Sequence, residues 1–135
     1  MTQEDKELLL KDLCARLPYG VRYRHFAWDD ERGEECVAAQ IYSIISLGYV
    51  KNCYDDEIDY IEDVRPYLFP LSSITKKTLE ELSAYIDIKN AYVAVEFFNS
   101  HHIDYRGLIE KGLAIDATNL NIYWLWSKQM WATKN

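Results

Sequence analysis

Two adjacent histidines, an aspartate and an arginine lie within six positions in the segment HHIDYRGLIEKGLA, residues 101 to 114. Such groups could bind zinc or transfer protons, with His25 as the remaining imidazole of the chain. Neighbouring side chains on a helix diverge by roughly 100°, so His101 and His102 cannot both reach one ion from the same helix. We therefore predict a helix C-terminus at the histidines and a helix N-cap at Asp104.

The spacing of the same segment predicts an ion pair between Arg106 and Glu110 on the solvent side of a short helix. His25 lies on a predicted strand with no ligand-like neighbour. A small-ligand-binding protein or an enzyme would instead need a pocket between sheet and helices. The candidate residues for that pocket are His25, His101, His102, Asp104 and Arg106.

A run of carboxylates, DDEIDYIED at residues 55 to 63, resembles the start of a calcium-binding loop. Tyr60 stands where that loop needs glycine, and Pro66 stands where it needs a bidentate glutamate. We therefore interpret the run as solvent-facing acids on a half-buried strand. The sequence contains no Gly-rich phosphate loop, no G-x-S-x-G and no H-E-x-x-H pattern. It predicts no catalytic residue, no metal and no cofactor.

Composition predicts one globular domain over residues 1–135, with 49% hydrophobic and 27% charged residues. The net charge of −7 opposes the phosphate backbone and argues against nucleic-acid binding, but it suits an acidic surface that docks on a basic partner. Cys14, Cys36 and Cys53 form no C-x-x-C pair, so we expect buried thiols in a reducing cytosol. No apolar run approaches the ~20 residues of a membrane span. We expect a cytoplasmic protein without membrane association.

The periodicity predicts an α+β fold. Thr2 can cap a helix over residues 1–17, which Pro18 and Gly20 end. Residues 19–66 then read as four consecutive antiparallel strands: Val21 to Trp28, a long strand from Cys36 to Leu47 that can carry a bulge, and shorter strands at 49–54 and 58–64. Such strands form a meander or a small SH3-like, partly open barrel.

Residues 75–115 are predicted to form two to three helices after the proline-rich segment 65–70 leaves the sheet. Ser73 or Thr75 can cap the first helix, and Asn90 can cap a second over residues 91–102. The β-propensity of AYVAVEFF, residues 91–98, leaves a strand open as the alternative. Asp104 is expected to cap a last helix from Tyr105 to Ala114.

The aromatic tail, residues 116–135, contains the best candidate for a contact surface within NIYWLWSKQMW, residues 121–131. Large aromatic residues and methionine anchor many protein interfaces. The alternative is that the segment closes the core, because a small domain must bury its aromatic side chains somewhere. The interface candidates are Tyr123, Trp124, Trp126, Met130 and Trp131.

Three blocks, MTQEDKELLLKDLCARLPYGV, VRPYLFPLSSIT and HHIDYRGLIEKGLAID, resemble an uncharacterised family of small proteins encoded by phages and mobile elements of gut anaerobic bacteria. The resemblance implies no activity, and it thins beyond Asp116. The family often has a basic residue at the position of Phe69 and a glutamate at that of Thr78. Without that glutamate, a capping box with Thr75 lacks its return half.

The first functional hypothesis is therefore a non-enzymatic accessory protein of a phage or mobile element that binds a protein, modulates a host process, or self-associates. The second is an enzyme or ligand-binding protein with the pocket described above. The third is contact with nucleic acid through the small barrel, using Arg22 and Arg24 as a basic strand face.

Overall fold

The computed structural model describes residues 1–45, 48–85 and 91–123. Three helices and seven strands lie in these ranges. The helices are α1 (Gln3–Arg16), α2 (Lys76–Tyr85) and α3 (Ala91–Ser100). The strands are β1 (Arg22–Asp29), β2 (Gly33–Ile45), β3 (Tyr49–Asn52), β4 (Ile58–Tyr60), β5 (Tyr67–Pro70), β6 (Ile103–Asp104) and β7 (Ile115–Asp116).

Helix α1 begins at the predicted cap. The Thr2 hydroxyl accepts from the backbone N–H of Asp5 at 3.1 Å, and the Asp5 carboxylate accepts from the N–H of Thr2 at 3.3 Å. This capping box satisfies two of the N–H groups that a helix start leaves free. After a 3₁₀ turn the chain reverses at Gly20, whose φ of +71° suits glycine.

Strands β1 to β4 form an antiparallel sheet in sequence order, curled into a half-barrel. This confirms the predicted α+β class and the partly open barrel. A three-residue loop joins β1 to β2, with Asp29 opposite Gly33, and β2 carries a register shift between Ile41 and Ser43. The long bulged strand is therefore confirmed, whereas β4 is shorter than predicted because residues Ile61–Asp63 turn into a 3₁₀ helix.

The inner face of the sheet packs against α1. Alternate residues of β1 and the residue before it are buried, and the intervening ones are solvent-facing, as the two-residue period predicts. Leu9 and Leu13 of α1 meet this face in one apolar cluster. Fully or almost fully buried members of the cluster are Leu9, Leu13, Val21, Tyr23, Ala39, Ile41, Val50, Ile61, Val64, Leu68 and Leu108.

A second sheet, with order β6-β5-β7 and parallel pairing, was not predicted. The segment 65–70 leaves the first sheet as expected, apart from a bridge between Pro66 and Tyr23, but it becomes the central strand of the second. It bonds to both sides of the turn-rich segment that follows α3. The N–H of Phe69 donates to the carbonyl of His102, and the carbonyls of Pro66 and Leu68 accept from the N–H groups of Ile115 and Ala117, each at 2.8 Å.

Residues 91–98 lie in α3 and are therefore helical, so the alternative of a strand is wrong. The Thr75 hydroxyl caps α2, because it accepts from the N–H of Thr78 at 3.2 Å. The predicted helix from Tyr105 to Ala114 is wrong, because the segment forms turns with Gly107 and Gly112 at positive φ. Predicted cap Asn90 lies outside the described residues. None of the described helices is long and apolar enough to cross a membrane.

Candidate functional site

The imidazole of His101 ends α3 as predicted. Its Nδ1 lies 2.8 Å from the carbonyl oxygen of Phe97, and its ring stacks on the Phe97 ring with centroids 4.0 Å apart. The left-handed φ of +56° at His102 turns the chain into β6. The side chains of His101 and His102 therefore point to different environments, as their adjacent positions in the sequence predicted.

His102 lies inside the protein against Tyr123, with ring centroids 3.9 Å apart. Burial, and then the nearby charge of Arg16, lower the pKa of His102 to about 3, so its imidazole is neutral. The Tyr123 hydroxyl accepts from the N–H of Arg22 at 2.8 Å and donates to the carbonyl of Tyr67 at 2.9 Å. The structure thus places Tyr123 in the core and not on a contact surface.

The remaining interface candidates, Trp124, Trp126, Met130 and Trp131, lie outside the described residues. Asp104 does act as a cap, because its carboxylate accepts from the N–H groups of Leu108 and Ile109 at 2.9 Å each. It caps a series of turns and not the predicted helix.

Arg106 joins a buried ion cluster instead of pairing with Glu110. Its Nη1 lies 2.8 Å from Oδ1 of Asp12, whose Oδ2 accepts from Nε of Arg16 at 2.9 Å. Arg16 is fully buried and also donates to the carbonyl of Ile103 at 2.5 Å. A buried guanidinium that satisfies backbone carbonyls holds α1 to the start of β6. The cluster therefore has a structural role.

His25 has close acidic neighbours, which corrects the prediction that it has none. Its Nδ1 lies 2.5 Å from Oδ2 of Asp59, and its Nε2 lies 2.7 Å from Oδ2 of Asp55. The hydroxyl of Tyr23 also donates to Oδ2 of Asp59 at 2.5 Å, and the side-chain amide of Asn52 donates to that hydroxyl at 3.0 Å. We call these five residues the His25 cluster.

The electrostatics of the His25 cluster favour a charged imidazole. Burial opposes the charge, but hydrogen bonds to Asp55 and Asp59 outweigh it and raise the pKa of His25 above its ordinary value. Burial also acts against the Asp55 carboxylate, but the bond from His25 lowers its pKa overall. Burial and then the bond to Asp59 raise the pKa of Tyr23, so the phenol keeps its proton.

The His25 cluster links the two edges of the half-barrel, because Tyr23 and His25 belong to β1 and Asp59 belongs to β4. Asn52 fixes the intervening turn by accepting from the N–H groups of Tyr54 and Asp55. Both ring nitrogens of His25 are engaged by carboxylates, so neither is available to accept a proton from a substrate. In the described ranges, no group of three His, Cys, Asp or Glu side chains could hold a metal ion.

The outer face of β1 exposes two large rings. Trp28 is 73% exposed and Phe26 is 52% exposed, and they face Glu34 and Cys36 across the hairpin. The guanidinium of Arg24 lies 5.4 Å from the centroid of the Phe26 ring. We call Phe26, Trp28, Glu34 and Cys36 the hairpin face. Exposed aromatic rings of this size are typical of contact surfaces.

Carboxylates surround Trp28 at the tip of the hairpin. Between residues 29 and 35 the chain has five acidic residues and a single base, Arg32. The indole Nε1 of Trp28 donates to Oδ1 of Asp30 at 3.0 Å. The acids at the tip are Asp29, Asp30, Glu31, Glu34 and Glu35. The two rings of the hairpin face therefore lie beside carboxylates, including Glu34 opposite Trp28, which form its acidic rim at the hairpin tip.

The cysteines are exposed, so the prediction of buried thiols is wrong for Cys14, Cys36 and Cys53.

The sequence could have indicated the His25 cluster, because a two-residue period that buries Tyr23 also buries His25, and a buried imidazole needs partners. Comparisons of the chain with protein-family models, with curated proteins and with solved structures gave no match.

Proposed function

We propose that this chain is a non-enzymatic protein that acts by binding another protein through the hairpin face. The observation that carries the proposal is the exposure of Trp28 and Phe26 on alternate outward positions of a strand whose inward positions are buried. Tryptophan is among the residues that most often dominate interface energies. A strand held in a sheet presents such rings at a low entropy cost.

The size of the hairpin face sets what the partner must supply. The exposed parts of the two rings amount to roughly 250 Å², which corresponds to about 6 kcal/mol of gross apolar stabilisation. Lost freedom on association offsets about that amount. Stable binding therefore also needs polar contacts, and the carboxylates at the hairpin tip favour a partner with basic residues beside an apolar patch.

The sequence resemblance implies a phage or mobile element as the source of this chain, and we propose that it acts as an accessory protein in the cytoplasm of the host. The acidic rim and the net charge of −7 disfavour a nucleic-acid partner. Arg22 and Arg24 do not form a free basic strip, because Arg22 donates to the carbonyl of Ala38 and Arg24 lies over Phe26.

The test is capture of partners by the immobilised full-length protein from a lysate of a gut anaerobic bacterium. The Trp28→Ala variant is compared with Tyr92→Ala, a matched control that removes an 82% exposed ring from α3. We expect a defined protein to bind the unmodified chain and the control, and to bind Trp28→Ala roughly 30-fold more weakly.

Failure to capture any defined protein, or equal affinity of all three chains for it, would refute the proposal. A full-length Trp126→Ala variant tests in the same way whether the aromatic tail contributes to binding. Unchanged affinity of that variant would remove Trp126 as an anchor and leave the hairpin face as the interface.

A further inference from the structure

The outer edge of β1 is covered along only part of its length. The N–H of Arg22 donates to the hydroxyl of Tyr123 at 2.8 Å, and the N–H of Arg24 donates to the carbonyl of Arg65 at 3.1 Å. Neither acceptor belongs to β2, so the backbone groups of Arg22 and Arg24 point away from the hairpin partner. In an antiparallel strand, the backbone N–H and C=O groups of every second residue point to the same edge. Those of Phe26 and Trp28 therefore also point away from β2.

The edge is open at Phe26 and Trp28. Among the described residues, none accepts from the N–H of either residue and none donates to either carbonyl. Their neighbours His25 and Ala27 have their backbone groups in the ladder with β2. Two N–H donors and two carbonyl acceptors thus stand in a row beside exposed rings, which is the template that an added strand needs.

The charge around this open edge selects the occupant. Five carboxylates and one base, Arg32, lie between residues 29 and 35, and Arg24 lies over the Phe26 ring. Asp55 and Asp59 lie on the buried face of β1 with side chains 25% and 27% exposed, so carboxylates outnumber bases around the edge. A second copy of the chain would bring its own net charge of −7 to the same edge. An extended segment rich in lysine or arginine complements the site, and its alternate apolar side chains can contact Phe26 and Trp28.

We propose that the partner binds by adding an extended, basic segment to the outer edge of β1 at Phe26 and Trp28. This inference rests on the proposed function, because it names how the partner of the hairpin face is held. Backbone hydrogen bonds to the two residues supply part of the affinity, and the two rings with the acidic rim supply the selectivity.

The first experiment uses the unmodified protein and a synthetic nine-residue peptide of alternating lysine and valine. Without peptide, the amide protons of Phe26 and Trp28 should exchange with solvent faster than those of His25 and Ala27. With peptide, exchange at Phe26 and Trp28 should slow by at least roughly tenfold. A peptide N-methylated at every position, which has the same charge but no backbone donor on either edge, should bind roughly tenfold more weakly.

The second experiment compares two substitutions at one position. Trp28→Ala and Trp28→Pro both remove the ring, but only proline removes the outward N–H, and that N–H takes no part in the ladder with β2. Both variants should keep the far-ultraviolet circular dichroism of the unmodified chain, which reports its backbone structure. The lysine–valine peptide should bind Trp28→Pro roughly tenfold more weakly than Trp28→Ala.

Four outcomes would overturn strand addition. The first two are that the lysine–valine peptide does not bind at low salt, or that the N-methylated peptide binds with the same affinity as the unmethylated one. The other two are that a glutamate–valine peptide binds as tightly as the lysine–valine peptide, or that the protein is a dimer whose Phe26 and Trp28 amides are protected without peptide. If a captured host protein depends on the Trp28 ring while any of these holds, the proposed function stands and strand addition fails. If the peptide protects both amides but no host protein depends on Trp28, the proposed function fails instead.

Discussion

Replacing His25 with glutamine should destabilise the protein in a pH-dependent way. The substitution removes an imidazolium that bonds to Asp55 at 2.7 Å and to Asp59 at 2.5 Å. A hydrogen bond to a charged group contributes about 1.5–3 kcal/mol when buried, but these carboxylates are 25% and 27% exposed and water screens them. We therefore expect a total loss of about 2 kcal/mol in the free energy of unfolding near pH 5.5.

The direction of the pH effect follows from the two pKa shifts. The folded-state pKa of His25 lies above its ordinary 6.5, so its contribution is complete below that value and is lost as pH rises through the folded-state pKa. The pKa of Asp55 lies below its ordinary 3.8, so its contribution is present above that value and is lost as pH falls through the folded-state pKa. The His25 cluster therefore contributes most to the stability of the folded protein between pH 3.8 and pH 6.5.

Urea denaturation at about pH 5.5 and about pH 9 measures this difference. The gap between the unmodified protein and His25→Gln should shrink by about half or more at the higher pH. Asp59→Asn, which removes the charge of the acceptor but keeps its size, should show the same trend. An equal gap at both pH values would refute a charged His25, and no gap at either would refute the closure of the half-barrel by this cluster.

Two further substitutions test the other buried polar groups. Arg16→Met should lower the free energy of unfolding by about 3–5 kcal/mol in urea denaturation, because it removes one of the two guanidinium partners of the fully buried Asp12. A loss below about 1 kcal/mol would contradict the role of Arg16 in holding α1 to the start of β6. Tyr123→Phe keeps the ring but removes the acceptor of the Arg22 N–H, and should cost about 1–3 kcal/mol in the same assay; an unchanged stability would show that another group satisfies that N–H.

Local periodicity was sufficient to predict α1 and the four-stranded sheet. The capping residue Thr2, the alternation of β1 and the glycine at position 20 act over a few neighbouring residues, so a single sequence displays them. These features depend on short-range physics, and the structure confirms them.

The second sheet and the His25 cluster depend on contacts between distant segments. Strands β6 and β7 have two residues each, which is too short for any period to be visible. The pairing of His25 with Asp59 depends on the curl and register of three strands, which the run of acids does not encode locally. Arg106 shows the same limit, because its partner Asp12 lies 94 positions away and not at the neighbouring helical position that spacing suggested.

The inward bonds of β1 help to explain why part of its edge can stay open. On the inner side, Tyr23 and His25 bind Asp59 and hold the strand against β4, so the strand does not depend on a further backbone neighbour at that end. At the edge that points away from β2, the backbone groups of Phe26 and Trp28 can therefore stay open without loss of the sheet. A strand that is already ordered loses little conformational entropy when another strand is added to it. The His25 cluster, in which both imidazole nitrogens bond to carboxylates, thus supports the strand edge at which we propose that the partner binds.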